Sequence, residues 1–319
     1  MLDRRRLLAG LAAAGILHGP RAPRAAEPGV IRVGYQKNSL LAVAREQGAL
    51  EAELRAQGTT VRWVEFSFGP PLLEALSLGA IDFGTTGDAP PIFAQAAGAG
   101  IVYAAAQPKG GAGAAILLPK GSTIETLAGL KGRRVAFAKG SSAHNLTVAA
   151  LEKAGLAYGD ITPVLLTPAD GAAAFSSGTI DAWTVWDPYY AIAEEREGAR
   201  VLARSADIAP INSFLLAARA FAEEQPAVLD GAIRALGAVA AWCETNRDGV
   251  AESLARLTGI PLPIQRRAAE RIRYAVAPMD AAILVEQQRI ADRFHALKVI
   301  PRPVRVADIV WQRPNPSKG

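Results

Sequence analysis

From residue 30 onward, short apolar strands alternate with segments of helical spacing. Residues 30–35 and 61–66 alternate in hydropathy and are rich in β-branched and aromatic residues, so both read as strands. Between them, residues 39–54 place Leu41, Ala44, Leu50 and Leu54 near one face of a helix. Pro70-Pro71 opens a helix over 72–78 with Gly79 at its C-terminal cap, and 81–85 reads as a short buried strand. Gly87-Asp88-Ala89-Pro90-Pro91 then begins a helix running to about residue 97, and 101–107 and 114–118 are further strands joined by Pro108-Lys109-Gly110-Gly111. The pattern then returns, after a helical turn at 126–130, as strand 134–138, helix 143–154, strand 162–166, helix 168–176, strand 180–185 and helix 189–195. Beyond Phe221 it becomes wholly helical through Leu297, and these added helices are expected to enlarge the first unit. Strands alternating with helices predict an α/β fold with mostly parallel sheets.

The recurrence is also one of residues. Gly79, Ile81, Asp82 and Asp88 reappear as Gly178, Ile180, Asp181 and Asp187, and Arg32 to Ser39 aligns with Arg134 to Ser141. A repeat of about 100 residues is too long for a solenoid and fits two similar lobes. Clefts between such lobes are where small ligands bind. The expected division is 27–108 with 206–319 as lobe I and 109–205 as lobe II, the chain crossing back around 203–212.

Composition narrows the function. A chain of 319 residues, half of them hydrophobic, can bury a sizeable core. The net charge of +5 is concentrated at the ends: the first 24 residues carry five Arg against one Asp. Without a basic stripe interleaved with aromatics, nucleic acid is not an expected partner. The single Cys243, in an apolar helical run, excludes an intrachain disulfide, and His18, His144 and His295 are too scattered for a metal cluster. No metal and no cofactor is expected.

Residues 1–26 have the layout of an export signal: Arg4-Arg5-Arg6, an apolar run from Leu7 to Leu17, and the small residues Ala22, Ala25 and Ala26. The apolar run is too short to span a bilayer. The adjacent arginines with Leu-Leu resemble a twin-arginine signal, although Asp3 stands where Ser or Thr is commoner; an ordinary secretory signal is the alternative. Cleavage near Ala26 and a periplasmic location follow from either reading.

Ligands in open α/β sheets bind beyond the carboxyl ends of strands. Four loops qualify, at 36–40, 85–90, 139–145 and 186–190, two in each lobe. In Lys139-Gly140-Ser141-Ser142-Ala143-His144-Asn145 a tight turn leads to two serines at a helix start, where free N–H groups and hydroxyls suit an anionic oxygen group. His144 either donates to such an anion or fixes the loop. Either Lys37 or Lys139, which occupy equivalent places in the repeat, could reach it. Of the two tryptophans near the second strand's end, Trp186 is the cleft candidate and Trp183 the core residue. Asp88 and Asp187 could pair as catalytic carboxylates, but their repetition favours helix N-caps. No nucleophile elbow, P-loop or dinucleotide fingerprint appears. An exported two-lobed chain without catalytic machinery reads as a carrier.

The stretches Glu65-Phe66-Ser67-Phe68-Gly69-Pro70-Pro71-Leu72-Leu73, Gly79-Ala80-Ile81-Asp82-Phe83-Gly84-Thr85-Thr86-Gly87-Asp88-Ala89-Pro90-Pro91, Lys139-Gly140-Ser141-Ser142-Ala143-His144-Asn145-Leu146 and Asp181-Ala182-Trp183-Thr184-Val185-Trp186-Asp187-Pro188-Tyr189-Tyr190 closely resemble the aliphatic sulfonate-binding proteins of ABC importers. The resemblance spans essentially the whole mature chain. It implies a two-lobed periplasmic-binding-protein fold of type II, each lobe a mixed, mostly parallel sheet flanked by helices, with the ligand cleft between lobes. It also implies an alkanesulfonate ligand, delivery to an ABC permease and ATPase complex at the inner membrane, and a monomer that is not an enzyme. Carried over to this sequence, Ser141, Ser142 and nearby amides would meet the sulfonate, with His144 and Asn145 in the same loop. Gln36, Gly87 and Asp88 would approach from lobe I. Trp186 and Tyr189 would border the alkyl chain, with Asp187 in the same loop among the ligand-binding residues, and Ser213 would add a polar contact. Taurine, nitrate or a thiamine precursor as ligand, and an enzyme on the same scaffold, are the competing readings.

Overall fold

The computed structural model describes residues 29–108 and 111–313. The export signal expected over 1–26, Lys109-Gly110 of the first linker, and Pro314 and Pro316 of the tail lie outside the described residues.

The first unit runs β1 (Val30–Tyr35), α1 (Leu40–Gln47), α2 (Ala49–Leu54), β2 (Thr60–Glu65), α3 (Gly69–Ser77), β3 (Phe83–Gly87), α4 (Ala89–Ala96) and β4 (Ile101–Gln107). The second runs β5 (Ala114–Leu118), β6 (Arg134–Phe137), α5 (Ser142–Lys153), β7 (Thr162–Leu165) and α6 (Pro168–Ser176). It continues with β8 (Ala182–Trp186), α7 (Tyr189–Glu197) and β9 (Arg200–Arg204). After α8 (Ser205–Ile208) the chain returns as β10 (Ser213–Ala218) and ends in α9 (Arg219–Glu224), α10 (Pro226–Thr245), α11 (Arg247–Thr258), α12 (Leu262–Arg271) and α13 (Ala281–Ala296).

These strands form two five-stranded sheets of the same plan, β2-β1-β3-β10-β4 and β7-β6-β8-β5-β9. In each, three strands are parallel and the last two alternate in direction, β10 lying antiparallel to β3 and β4 as β5 does to β8 and β9. The sheets are thus mixed, as expected, and helices flank both.

Four departures from the sequence reading have physical causes. The helix expected over 39–54 is two helices, because Gly48 takes a left-handed conformation (φ 63°) and closes α1 while opening α2. Strand β10 was not foreseen: Ser-Phe-Leu-Leu-Ala-Ala is buried on both faces and carries no alternation. Strand β9 was also missed, an edge strand with Arg at each end. The terminal helices are divided as well: α10 packs on α1 and α2, whereas α12 packs on α7 of the second lobe through Ile264, Ala268 and Ala191.

The repeated Gly-x-Ile-Asp motif is structural. Gly79 and Gly178 both take φ near 65–69° just past α3 and α6. Asp82 accepts the backbone N–H of Arg32 at 2.7 Å and its guanidinium at 2.5 Å. Asp181 accepts the N–H of Arg134 at 2.7 Å and its guanidinium at 3.1 Å. Each aspartate ties the entry of one central strand to the start of its parallel neighbour.

Candidate functional site

The carboxyl ends of β1, β3, β6 and β8 converge on a cavity of about 510 Å³ between the lobes. From lobe I, Gln36 follows β1 and donates its side-chain N–H to the Thr85 carbonyl at 3.1 Å, tying two cleft loops together. Gly87 ends β3 so close to the opposite lobe that a Cβ there would stand 2.0 Å from the Ser142 Oγ. Any side chain at 87 would therefore displace the Ser142 hydroxyl.

From lobe II, Gly140 turns the chain (φ 70°) out of β6, and a Cβ on it would already touch Phe93 of α4 at 3.4 Å. Ser141 is the N-cap of α5, but its hydroxyl makes no capping bond; it donates instead to the Ala138 carbonyl at 2.7 Å. Its counterpart Ser39 donates identically to Gln36 O at 2.7 Å and also accepts from Ala42 N. With one hydrogen per hydroxyl, Ser141 has no proton left for an anion. Ser142 sits one residue on, half-buried and facing Gly87. The Ser142 and Ala143 amides, first in α5, have no acceptor among the described residues. Donor chemistry therefore concentrates at Ser142 and these amides.

Eight predicted residues line the cavity together: Gln36, Gly87, Ser141, Ser142, Trp186, Asp187, Tyr189 and Ser213. Three others, Asp88, His144 and Asn145, are turned behind it. Asp88 is fully buried and caps α4, accepting Ala89 N at 2.7 Å. His144 stacks on Phe137 (centroids 4.8 Å) among Phe93, Phe294 and Tyr158, and its Nδ1 accepts from Gly140 N at 3.3 Å. Burial, with the Lys139 charge as a smaller contribution, lowers its pKa to about 4, so it is neutral at physiological pH. Of the two readings of His144, the loop-fixing one fits this environment. The reason is rotation: each helical residue advances about 100° around the axis. Ser142 faces the cleft, while His144 and Asn145 face the seam with α4 and α13.

The lysines part in the same way. Lys37 stands on the cavity rim, 3.5 Å from Glu65, whereas Lys139 is exposed and not part of the lining. Trp183 is core and Trp186 lines the cleft. Asp187 stands one residue before Pro188, the N-cap of α7, and accepts the Ala191 N–H at 3.0 Å; burial raises its pKa to about 7 against the opposing charge of Arg271 at 3.4 Å. Arg271 also pairs with Glu194 and lies 3.7 Å over the Tyr190 ring. Neither it nor the cavity-lining Ile260, Ile272, Arg273 and Tyr274 was foreseen; they come from beyond the repeat and carry no local signal.

Among the described residues no three His, Cys, Asp or Glu side chains cluster to hold a metal ion. Cys243 is buried and its thiol is pushed up to about 12, so it is inert as a nucleophile.

The architecture is that of two-lobed periplasmic binding proteins. Residues 24–259 match the NMT1-like family, and the chain belongs to it, within the aliphatic sulfonate-binding group. An aliphatic sulfonates-binding protein of Escherichia coli (strain K12) is 42% identical over 306 residues, 95% of this chain and 95% of its own. The crystal structure of the periplasmic aliphatic sulphonate binding protein SsuA from Escherichia coli superposes with a TM-score of 0.82 at 41% identity, covering 91% of this chain and 94% of that one. The alkanesulfonate-binding protein SsuA from Xanthomonas axonopodis pv. citri, bound to MOPS, gives 0.83 at 40% identity, covering 90% and 99%.

Proposed function

We infer that this protein is the periplasmic substrate-binding component of an ABC importer and that it captures aliphatic sulfonates between its lobes for delivery to a membrane permease and ATPase. The observation that carries the reading is the two-sided cavity. One end offers hydrogen-bond donors at Ser142, the first amides of α5 and Gln36; the walls are Trp186, Tyr189, Ile192, Ile211, Ile260 and Ile272. A sulfonate stays ionised at biological pH, so donors alone suffice to hold it, and the apolar walls suit its carbon chain. Micromolar capture requires about −8 kcal/mol, within reach of several donors plus burial of an alkyl chain. Export by the 1–26 signal, action as a monomer, and closure about the two crossovers complete the proposal.

Titration calorimetry with linear alkanesulfonates of increasing length, against sulfate, nitrate and taurine, tests it. Affinity is expected to rise with chain length. Tighter binding of sulfate or nitrate than of every alkanesulfonate would overturn it.

A further inference from the structure

Among the described residues, four charged side chains line the cavity: Lys37, Glu65, Asp187 and Arg273. Three of them have partners of opposite charge. Lys37 stands 3.5 Å from Glu65, and Asp187 stands 3.4 Å from Arg271. Arg273 makes no ion pair and no side-chain hydrogen bond with any described residue. The acids on neighbouring elements are already engaged. Glu244 accepts the Tyr274 N–H and pairs with Arg247 at 2.6 Å, while Glu194 is held by Arg271 and by Arg267 at 3.7 Å. Because Arg271 keeps Glu194, Arg273 stays unmatched whether Asp187 is ionised or neutral.

The backbone that carries Arg273 is pinned on both sides. Ala112 N–H donates to the Arg271 carbonyl at 2.9 Å, Arg247 donates to the Ile272 carbonyl, and Tyr274 N–H goes to Glu244. A cation on a fixed segment costs little ordering when a ligand arrives. The sulfonate group has no need of it, since neutral donors at Ser142, the first amides of α5 and Gln36 suffice for one anion. Ser142 abuts Gly87 at the end of β3, whereas the segment 271–274 is bonded to Gly111 and Ala112 at the first crossover. We propose that Arg273 binds a second acidic group of the ligand, and that the preferred class is therefore the ω-sulfocarboxylates, short carbon chains with a sulfonate at one end and a carboxylate at the other. The proposal rests on the sulfonate reading above.

A carboxylate suits this cation. The planar guanidinium offers two parallel N–H bonds to its two oxygens, and an ordinary carboxyl, with a pKa of about 4, is ionised at neutral pH. Trp186 and Ile272, which also line the cavity, suit the methylenes between the two acids. Two effects limit the gain. Arg273 is exposed, so its charge keeps part of its hydration. Glu65 on the rim repels a second anion, although Lys37 beside it offsets much of that. The carboxylate should therefore strengthen binding about fivefold, and less in high salt, which screens an exposed pair.

The test is calorimetric titration, in a buffer that is not itself a sulfonate, with sulfoacetate, 3-sulfopropanoate and 4-sulfobutanoate, each against its own carboxamide. The amide has the shape of the acid without the second charge. At the chain length that reaches Arg273, the acid is expected to bind about fivefold tighter than its amide, with the ratio falling towards one in high salt. Arg273→Gln, a change at an exposed position, is expected to bring that ratio to one in low salt as well. An acid no tighter than its amide at any of the three lengths overturns the inference while leaving the sulfonate reading in place. A ratio undiminished in Arg273→Gln does the same, because the second acid would then be held by another cation such as Lys37. No saturable binding of any sulfonate overturns both.

Discussion

The two lobes repeat the same bonds in different surroundings. Arg32–Asp82 and Arg134–Asp181 share a geometry, yet the first pair is nearly buried (side chains 14% and 3% exposed) and the second stands in solvent (47% and 28%). Ser39 and Ser141 make the same hydroxyl bond three residues back. The copies diverge one residue later, where lobe I has buried Leu40 and lobe II has Ser142 facing the cleft. The comparison separates scaffold from site. Shared residues such as Asp82 and Asp181 hold strands in place, whereas Ser142, which only the second copy has, faces the cleft.

The largest expected effect lies in the scaffold. Asp82→Ala should cost about 3 kcal/mol of unfolding free energy, since it removes three hydrogen bonds of a nearly buried ion pair and leaves the Arg32 guanidinium only its other contacts, such as the Gly79 carbonyl, whereas Asp181→Ala should cost much less because water replaces the lost partner. Urea denaturation of both variants checks this, and equal losses would break the distinction. Next comes the site: Ser142→Ala should weaken alkanesulfonate binding by about 2 kcal/mol, roughly 30-fold, with unfolding unchanged. A still smaller change, Ser39→Ala, should remove about 1 kcal/mol of stability through the lost cap on α1 and leave affinity untouched. The smallest is a pH effect. The Arg134 hydrogen bond, chiefly, holds the Asp181 pKa below its ordinary value. Its stabilisation is therefore complete above the unfolded-state pKa near 3.8 and fades as pH falls through the lower folded value. Thermal melts of Asp181→Asn should run slightly below wild type at neutral pH and converge with it in acid.

Much of this was legible in the sequence, and the exceptions share a cause. Strands β1 to β8 announce themselves by alternation, by turn residues or by their repeat partners. Strand β10 does not, because a strand buried on both faces and running straight into α9 looks like a helix. The cleft loops were readable because parallel strands end at them. Within one loop, however, spacing could not tell Ser142 from Ser141: that depends on which hydroxyl finds a backbone carbonyl first. The Arg271–Asp187 contact was invisible, since it joins the end of α12 to a loop 84 residues earlier. Only the packed fold brings them together.

The position of β10 bears on how the molecule is made. It lies in the first sheet between β3 and β4 and bonds to both. As the chain is synthesised, that sheet has a strand-wide gap until residue 218 has emerged, by which point β5 to β9 have all been supplied from one continuous stretch. The second lobe can thus condense first, although it comes later in the sequence. The first lobe is closed by a segment that follows its twin in the chain, so its sheet cannot be cut from the gene as one contiguous piece, whereas the strands of the second sheet can.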